Sequence, residues 1–243
     1  MNLPEPVPLL QAHGLTMRFG GVTAVNQVDF TLREAELRCL IGPNGAGKST
    51  FFKMLTGQLV PSSGQLQFRG ENIAGEPSHK IARRGVGIKT QIPNVFDGLS
   101  VRENILIGAG RGKSMAGARR VLDETIARVG LADIADATVA YLSHGQRQWV
   151  EIATVIAQEP DLVLLDEPVA GMTDEEVDRT ANIIKEINYR QAVVVVEHDM
   201  QFIRKIAKTV TVFNQGSVLV EGDVDTVLSD ERVRDVYLGR QVA

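Results

Sequence analysis

The sequence predicts an α/β fold with a helical insert, and three observations support this. A glycine-rich segment at residues 42–50 follows a strand pattern and opens a helix pattern. Two strongly apolar runs, LVLLDE at 162–167 and AVVVVEHD at 192–199, enclose a polar helical pattern, which is typical of parallel strands with a crossover helix. Between about Gln91 and Glu159 strand patterns are absent and helical periodicity dominates.

The order of these elements predicts one domain at residues 9–243. Its α/β core comprises residues 9–91 and 160–243, and residues 92–159 form the helical insert. Ser100 and Glu103 have the spacing of a capping box and should begin a helix of the insert. Residues 1–8, which include three prolines, are predicted to be an extended leader.

Composition excludes several classes of protein. Hydrophobic residues make up 44% of the 243 residues and charged residues 23%, as in globular proteins. The net charge of -4 argues against a nucleic-acid partner. Cys39 is the single cysteine, so the chain forms no internal disulfide, and a reducing compartment is expected. No run approaches the roughly 20 apolar residues of a membrane helix, so we expect the chain not to enter the bilayer.

Residues 42–50 read GPNGAGKST and match the phosphate-binding pattern G-x-x-x-x-G-K-[ST]. Glycines expose backbone N–H groups to an anion at a helix N-terminus. Lys48 supplies a charge for the terminal phosphates, and the hydroxyl of Ser49 suits Mg²⁺. The alternative is a glycine-rich turn without a ligand. The predicted phosphate-binding residues are Gly42, Pro43, Asn44, Gly45, Ala46, Gly47, Lys48, Ser49 and Thr50.

Two acidic residues follow the apolar strand at 162–165, at the edge where open α/β sheets bind ligands. We assign Asp166 to Mg²⁺ and Glu167 to the water that attacks the terminal phosphate. Taken alone, the pair could equally cap a strand before Pro168. His198 ends the next apolar strand and should reach the same edge, although a lone histidine there is more often structural.

The segment LSHGQ at 142–146 precedes a helix pattern, RQWVEIATVIAQ, whose apolar face holds Trp149, Ile152, Ala153 and Ile156. Ser143 and Gly145 therefore stand at a helix N-terminus, which is a second place for an anion. Because the chain already has a complete phosphate loop, we expect this second site to serve a nucleotide held by a partner.

With these motifs the sequence resembles the ABC ATPase family, and the resemblance covers nearly the whole chain. It implies a mixed sheet flanked by helices, an antiparallel β subdomain and a helical signature subdomain. It also implies ATP and Mg²⁺ as cofactors, a signature (Ser143, His144, Gly145, Gln146) that acts in trans, and His198 as a switch residue. Phe19 and Val25 are implied to contact ATP, and Gln91 to link Mg²⁺ to the insert.

The chain departs from the family pattern at three positions. His144 stands where the signature commonly has glycine, and Thr173 replaces the aspartate usual in the loop that crosses the dimer interface. Thr90 stands where close relatives often have phenylalanine. The segments LSHGQRQWVEIA, DEPVAGMTDEE and YLGR are similar to the urea-type members of the branch that serves branched-chain amino acid importers.

The resemblance implies an ATP hydrolase that powers a membrane importer, and it favours urea as the solute over branched-chain amino acids. The implied partners are a second ATPase subunit, identical or different, transmembrane permease subunits and, indirectly, a solute-binding protein. The chain would then lie at the cytoplasmic face of the membrane. Val95, Phe96 and Leu99 are candidates for a groove that receives a permease helix, or else belong to the core of the insert.

Three other functions remain as alternatives. A lipid or polysaccharide exporter differs only in its permease. A DNA-acting ATPase of the same superfamily would carry a long coiled coil between Lys48 and Ser143, but no heptads occur there. A translation factor of the family would carry two cassettes, and this chain has one.

Overall fold

The computed structural model describes residues 8–92 and 94–237. It divides into two compact units: one holds the residues up to Arg84 and from Val194 onward, and the other holds Gly85–Val193. The predicted leader lies outside the described residues except for Pro8, and so does the YLGR ending beyond Tyr237.

The strands and helices follow the predicted order. The strands are β1 (Leu10–Phe19), β2 (Val22–Leu32), β3 (Leu37–Ile41), β4 (Ser63–Phe68), β5 (Glu71–Asn72), β6 (Val86–Lys89), β7 (Leu162–Asp166), β8 (Ala192–Val196), β9 (Thr209–Asn214) and β10 (Ser217–Asp223). The α-helices are α1 (Lys48–Leu55), α2 (Ser78–Arg83), α3 (Val101–Ala109), α4 (Met115–Val129), α5 (His144–Ile156), α6 (Asp174–Asn188), α7 (Met200–Ile206), α8 (Val224–Ser229) and α9 (Glu231–Tyr237).

The first unit contains an antiparallel sheet with the strand order β2-β1-β4-β5. Leu10 of β1 pairs with Leu32 on one side and with Phe68 on the other. All three side chains are buried, which is what alternating apolar residues achieve when one face of a sheet is covered.

The first unit also contains the mixed part of the fold. Strand β9 pairs in parallel with β3 and antiparallel with β10. Helix α1 is anchored by Phe51, whose ring lies 5.5 Å from that of Phe30 and 5.2 Å from that of Phe213. Phe51 is fully buried, so α1 and the phosphate-loop pattern before it are held against a packed core.

The second unit is mainly helical. Strands β6 and β7 pair in parallel, and α3, α4 and α6 pack around α5. Within the predicted insert, the described residues form no strand and only one isolated bridge, between Ser100 and Thr138. Ser100 and Glu103 form the predicted capping box at the start of α3.

Helix α5 is buried more completely than its sequence pattern indicates. The four predicted core residues are buried, but so are Gln148, Val150, Glu151 and Val155 on its other sides. The reason is that α3, β6, α4 and α6 contact it from several directions. The indole N–H of Trp149 donates to the hydroxyl of Thr180 on α6 at 2.8 Å.

No helix among the described residues is both long and apolar enough to cross a membrane.

Candidate functional site

The phosphate-loop segment adopts a backbone that only glycine fits at two positions. Gly42 has φ +144°, and a Cβ there would lie 2.2 Å from the carbonyl oxygen of Phe213. Gly47 has φ +102°, and its Cβ would lie 2.6 Å from the carbonyl oxygen of Ala24. These close approaches explain why the sequence needs glycine at both ends of the turn.

The N-terminus of α1 is open to an anion. Its N-cap is Gly47, which supplies no capping side chain, and its first turn contains no acidic residue. The first N–H groups of a helix lack helical partners, so such a terminus is a natural anion site. Ser49 is exposed at this terminus.

Lys48 lies back across the same turn. Its ammonium donates to the carbonyl oxygen of Gly42 at 2.5 Å and to that of Pro43 at 3.0 Å. The side chain is largely buried, with 9% of its surface exposed. These two bonds hold the ammonium across the turn, beside the helix end where a phosphate would bind.

Phe19 and Val25, which are implied to contact ATP, differ in exposure. Phe19 closes β1 with 47% of its surface exposed, so its ring is available to stack. Val25 is fully buried and packs beneath Gly47, with its Cγ2 3.6 Å from where a Cβ of that glycine would stand. The side chain of Val25 therefore supports the loop from below, and its assignment to ATP stays a prediction.

His198 lies two residues beyond β8, and its side chain is largely exposed. Its backbone N–H donates to Oε2 of the buried Glu197 at 2.8 Å, and its Nδ1 lies 3.6 Å from the same oxygen. The imidazole is thus oriented by Glu197 while its outer part faces solvent.

Gln91 and Glu167 meet in the second unit. The side-chain amide of Gln91 donates to Oε2 of Glu167 at 2.8 Å. The parallel register of β6 and β7 pairs Lys89 with Leu165, so both residues follow their strands at the same edge. Glu167 has a left-handed backbone with φ +46°, a strained conformation that costs about 1–3 kcal/mol for a residue other than glycine.

The residues assigned to Mg²⁺ offer the oxygen atoms that this ion prefers. Ser49 has a hydroxyl, Asp166 a carboxylate, and Gln91 keeps its amide oxygen because its nitrogen donates to Glu167. Among the described residues no group of three or more His, Cys, Asp or Glu forms a metal cage.

The signature segment begins α5 as expected. The hydroxyl of Ser143 accepts from the N–H of Gln146 at 3.2 Å, and the amide oxygen of Gln146 accepts from the N–H of Ser143 at 3.0 Å. This reciprocal capping box satisfies two groups of the helix end. A Cβ on Gly145 would lie 2.3 Å from Oε1 of Glu176, so the Glu176 carboxylate would have to move to admit a side chain there.

Two of the departures from the family pattern have structural roles. The imidazole Nε2 of His144 lies 3.0 Å from the carbonyl oxygen of Ala170 and 3.2 Å from the side-chain nitrogen of Gln148. Both contacts of the imidazole are therefore with residues of this chain. Thr173 caps α6, and its hydroxyl and N–H form a capping box with Glu176.

The burial and contacts of three residues, Lys89, Glu151 and Tyr237, were not predicted from the sequence. Lys89 and Glu151 are buried and face each other at 3.7 Å, and burial raises the pKa of Glu151 while Lys89 opposes that rise. Each is a lone charge in an apolar run, GVGIK and WVEIATVI, which is a signal that a buried partner exists. Burial also raises the pKa of Tyr237 to about 12, opposed by a hydrogen bond with the backbone of Gly42.

Comparison with known proteins agrees with this geometry. The model of the ABC transporter family matches residues 25–170. The branched-chain amino acid transport ATP-binding protein BraF of Pseudomonas aeruginosa is 35% identical over 96% of this chain and 98% of its own. The lipopolysaccharide export ATP-binding protein LptB of Haemophilus influenzae is 32% identical, with the same coverage. CbiO1 of Clostridium perfringens, part of the cbiONQ transporter complex, is 28% identical, covers 96% of each chain and has a TM-score of 0.85.

Proposed function

The chain belongs to the ABC transporter family of ATP-binding, ATP-hydrolysing subunits, and on that premise we propose that it powers the import of branched-chain amino acids. Its predicted fold, a mixed sheet with an antiparallel β part and flanking helices, is the fold of this family. The observation that carries ATP binding is the glycine turn of residues 42–47, with the buried ammonium of Lys48 lying across it.

The choice of solute rests on the relatives. The sequence motifs favour urea, but BraF, which matches over almost its full length, is named for branched-chain amino acids. The amino acid alternative therefore replaces urea in this proposal. The fold and the motor chemistry do not by themselves determine the solute.

In this proposal different residues bind the nucleotide and catalyse its hydrolysis. Lys48 and the α1 N-terminus bind the phosphates, with Ser49, Asp166 and Gln91 able to hold Mg²⁺. The ion, when bound, neutralises phosphate charge. Glu167 orients and deprotonates the attacking water, and His198 donates a hydrogen bond.

A second ATPase subunit, identical or different, completes each site. Support comes from the N-terminus of α5, where Gly145 lies in the first turn and the N–H groups of a helix end can bind an anion that this chain's own phosphate loop does not need. The Ser143 hydroxyl donates to Oε1 of Glu176 at 3.4 Å and would exchange that carboxylate for the phosphate. ATP would draw two subunits together, and hydrolysis would release them.

We place the permease contact on the segment after Gln91. Ile92 is 79% exposed and Phe96 59% exposed, which argues against the alternative that Phe96 belongs to the insert core. Val95 and Leu99 are half-buried. Phe96 is held in place, since its backbone N–H and carbonyl both bond to the side chain of Asn104, at 2.8 and 3.0 Å. A permease helix would thus meet an ordered apolar surface.

Localisation at the cytoplasmic face of the membrane follows from such a permease partner, and a solute-binding protein would act only indirectly. The test is purification from membranes with identification of the associated permease, followed by uptake of labelled leucine and labelled urea in cells lacking this chain. Loss of leucine uptake alone supports the proposal. Loss of urea uptake alone overturns it.

Export is the second candidate, because LptB matches the same length of chain at 32% identity. It predicts an associated permease without any solute-binding partner, an unchanged leucine uptake, and accumulation of a lipid or polysaccharide in the depleted cell.

A further inference from the structure

Lys89 ends β6, and its side chain is completely buried. Removing an ammonium from water costs several kcal/mol unless other groups replace the lost hydration. The cost of burying the Lys89 ammonium must therefore be offset by its contacts with other groups of the protein.

The ammonium of Lys89 lies between two carbonyl groups. It donates to the carbonyl oxygen of Thr90 at 3.0 Å and to that of Asp166 at 3.5 Å. These carbonyls belong to the peptide groups that lead directly into Gln91 and Glu167. The side chains of Gln91 and Glu167 in turn bond to each other at 2.8 Å.

This arrangement bears on the strained backbone of Glu167. Its φ of +46° is set by the orientation of the peptide group that joins it to Asp166. A residue in this conformation keeps it only when its surroundings hold it there. The bond from Lys89 to the Asp166 carbonyl is one such restraint.

Glu151 supplies the opposite charge from α5. Its Oε2 lies 3.7 Å from the ammonium, its side chain is 3% exposed, and its Oε1 accepts from the N–H of Asn94 at 3.0 Å. Helix α5 begins at the signature, with Ser143 as its N-cap. The pair thus joins the strand ends that carry Gln91 and Glu167 to the signature helix.

We propose that Lys89 is a positioning residue for ATP hydrolysis, with Glu151 as its buried counter-charge. Lys89 holds the peptide groups before Gln91 and Glu167 so that the Glu167 carboxylate is aimed at the attacking water. The inference rests on the proposed ATPase function, and it adds that the aim of Glu167 is coupled to helix α5.

The test compares variants of the full chain by ATP hydrolysis, nucleotide binding, melting temperature and hydrogen exchange. Lys89→Met should lower kcat by tenfold or more, since small misplacements of catalytic groups have effects of this size. KM and nucleotide affinity should stay within twofold. The amides of Gln91 and Glu167 should exchange at least tenfold faster.

Three further variants separate positioning from stability. Glu151→Gln keeps an acceptor for Asn94 and leaves both carbonyl contacts of Lys89, so kcat should fall less than in Lys89→Met. The double variant Lys89→Met/Glu151→Gln removes the unpaired buried charge, keeps the acceptor for Asn94, and should regain melting temperature but not kcat. Thr180→Val, on α6, removes the hydrogen bond to Trp149, which lies on α5 like Glu151. This variant should have a lower melting temperature and an unchanged kcat.

Recovery of kcat in the double variant, or a loss of rate in Thr180→Val as large as in Lys89→Met, would overturn the inference. If Lys89→Met does not fold, the double variant alone decides the question through its kcat. Glu167→Gln distinguishes a failure of the proposed catalytic site from a failure of the role of Lys89. Hydrolysis at the wild-type rate in Glu167→Gln contradicts the proposed site itself. Slow hydrolysis in Glu167→Gln together with fast hydrolysis in Lys89→Met contradicts only the role of Lys89.

Discussion

The amide nitrogen of Gln91 donates to the carboxylate of Glu167 over 2.8 Å, although the two residues are 76 positions apart. The contact uses Oε2 of Glu167 and the amide nitrogen of Gln91, so the amide oxygen of Gln91, which could bind a cation, is not consumed by it. It thereby connects the segment proposed to meet the permease with the group proposed to activate water, and it motivates the first prediction.

Glu167→Gln should reduce ATP hydrolysis by about a hundredfold or more, because an amide cannot take a proton from water. Nucleotide binding should remain, since the phosphate loop is unchanged. Single-turnover hydrolysis and equilibrium ATP binding measure the two effects. Glu124→Gln, at an exposed carboxylate on α4, is the matched control and should behave as wild type. Hydrolysis within threefold of wild type in Glu167→Gln contradicts the assignment.

Lys48→Ala should weaken ATP binding by about 10- to 100-fold, since hydrogen bonds to charged groups contribute about 1.5–3 kcal/mol. Lys53 stands in the last turn of the same helix with an exposed side chain, and Lys53→Ala should bind normally. Titration with a fluorescent ATP analogue makes the comparison. Equal affinities of the two variants would remove Lys48 from the phosphate site.

Ser143→Asp tests the signature while keeping a side chain that can cap its helix. Because the Ser143 hydroxyl donates to Glu176 at 3.4 Å, the new carboxylate also faces Glu176, so the melting temperature is compared with that of Ser143→Asn. Asp and Asn cap helices about as well as Ser, so the start of α5 should survive in both variants. The negative charge of Asp should repel a phosphate brought by a partner subunit and lower steady-state hydrolysis at least tenfold. Binding of ATP to the isolated chain should not change. If Ser143→Asn loses as much activity as Ser143→Asp, the effect is not electrostatic and the trans-phosphate role is unsupported.

Gly145→Ala should displace the Glu176 carboxylate from its bonds with Ser143 and Thr173, a cost of about 1 kcal/mol that the better helix propensity of alanine partly offsets. The added Cβ would stand 2.3 Å from Oε1 and 2.5 Å from Cδ of Glu176. In a Glu176→Ala background the same change should cost less, because the clashing group is gone. Urea unfolding of both single variants and the double variant measures the coupling. Strict additivity would mean that the two residues do not meet in solution.

Cys39 should make stability depend on pH in the alkaline range. Burial, with a smaller contribution from Glu197, raises the pKa of this thiol far above its reference value of 9.0. The unfolded thiol ionises above pH 9 while the folded thiol stays protonated. Its contribution to stability is therefore complete below pH 9 and falls by about 1.4 kcal/mol per pH unit above it.

The check is urea unfolding at pH 8 and pH 10 for the wild type and for Cys39→Ala, whose smaller pH dependence isolates the thiol. The native thiol should also resist alkylation at pH 9 until the protein unfolds. Rapid labelling of the folded chain would show that Cys39 is accessible.

Local motifs are determined by the sequence itself. The phosphate turn, the capping boxes at Ser100 and Ser143, and the strand that ends at Asp166 all depend on neighbouring residues, and short-range backbone geometry accounts for them. The order of these motifs also indicates the family and, with it, the ATPase activity. It does not determine the solute.

Contacts between distant residues depend on the folded chain. The sequence alone indicates neither that Val25 is buried under Gly47 nor that His144 turns toward Ala170. Lys89 and Glu151 each appear as an isolated charge in an apolar run, and only packing of α5 against β6 brings them together. The physical reason is range: backbone turns and caps are determined by a few adjacent residues, whereas the burial and pairing of side chains depend on which elements the whole fold places side by side.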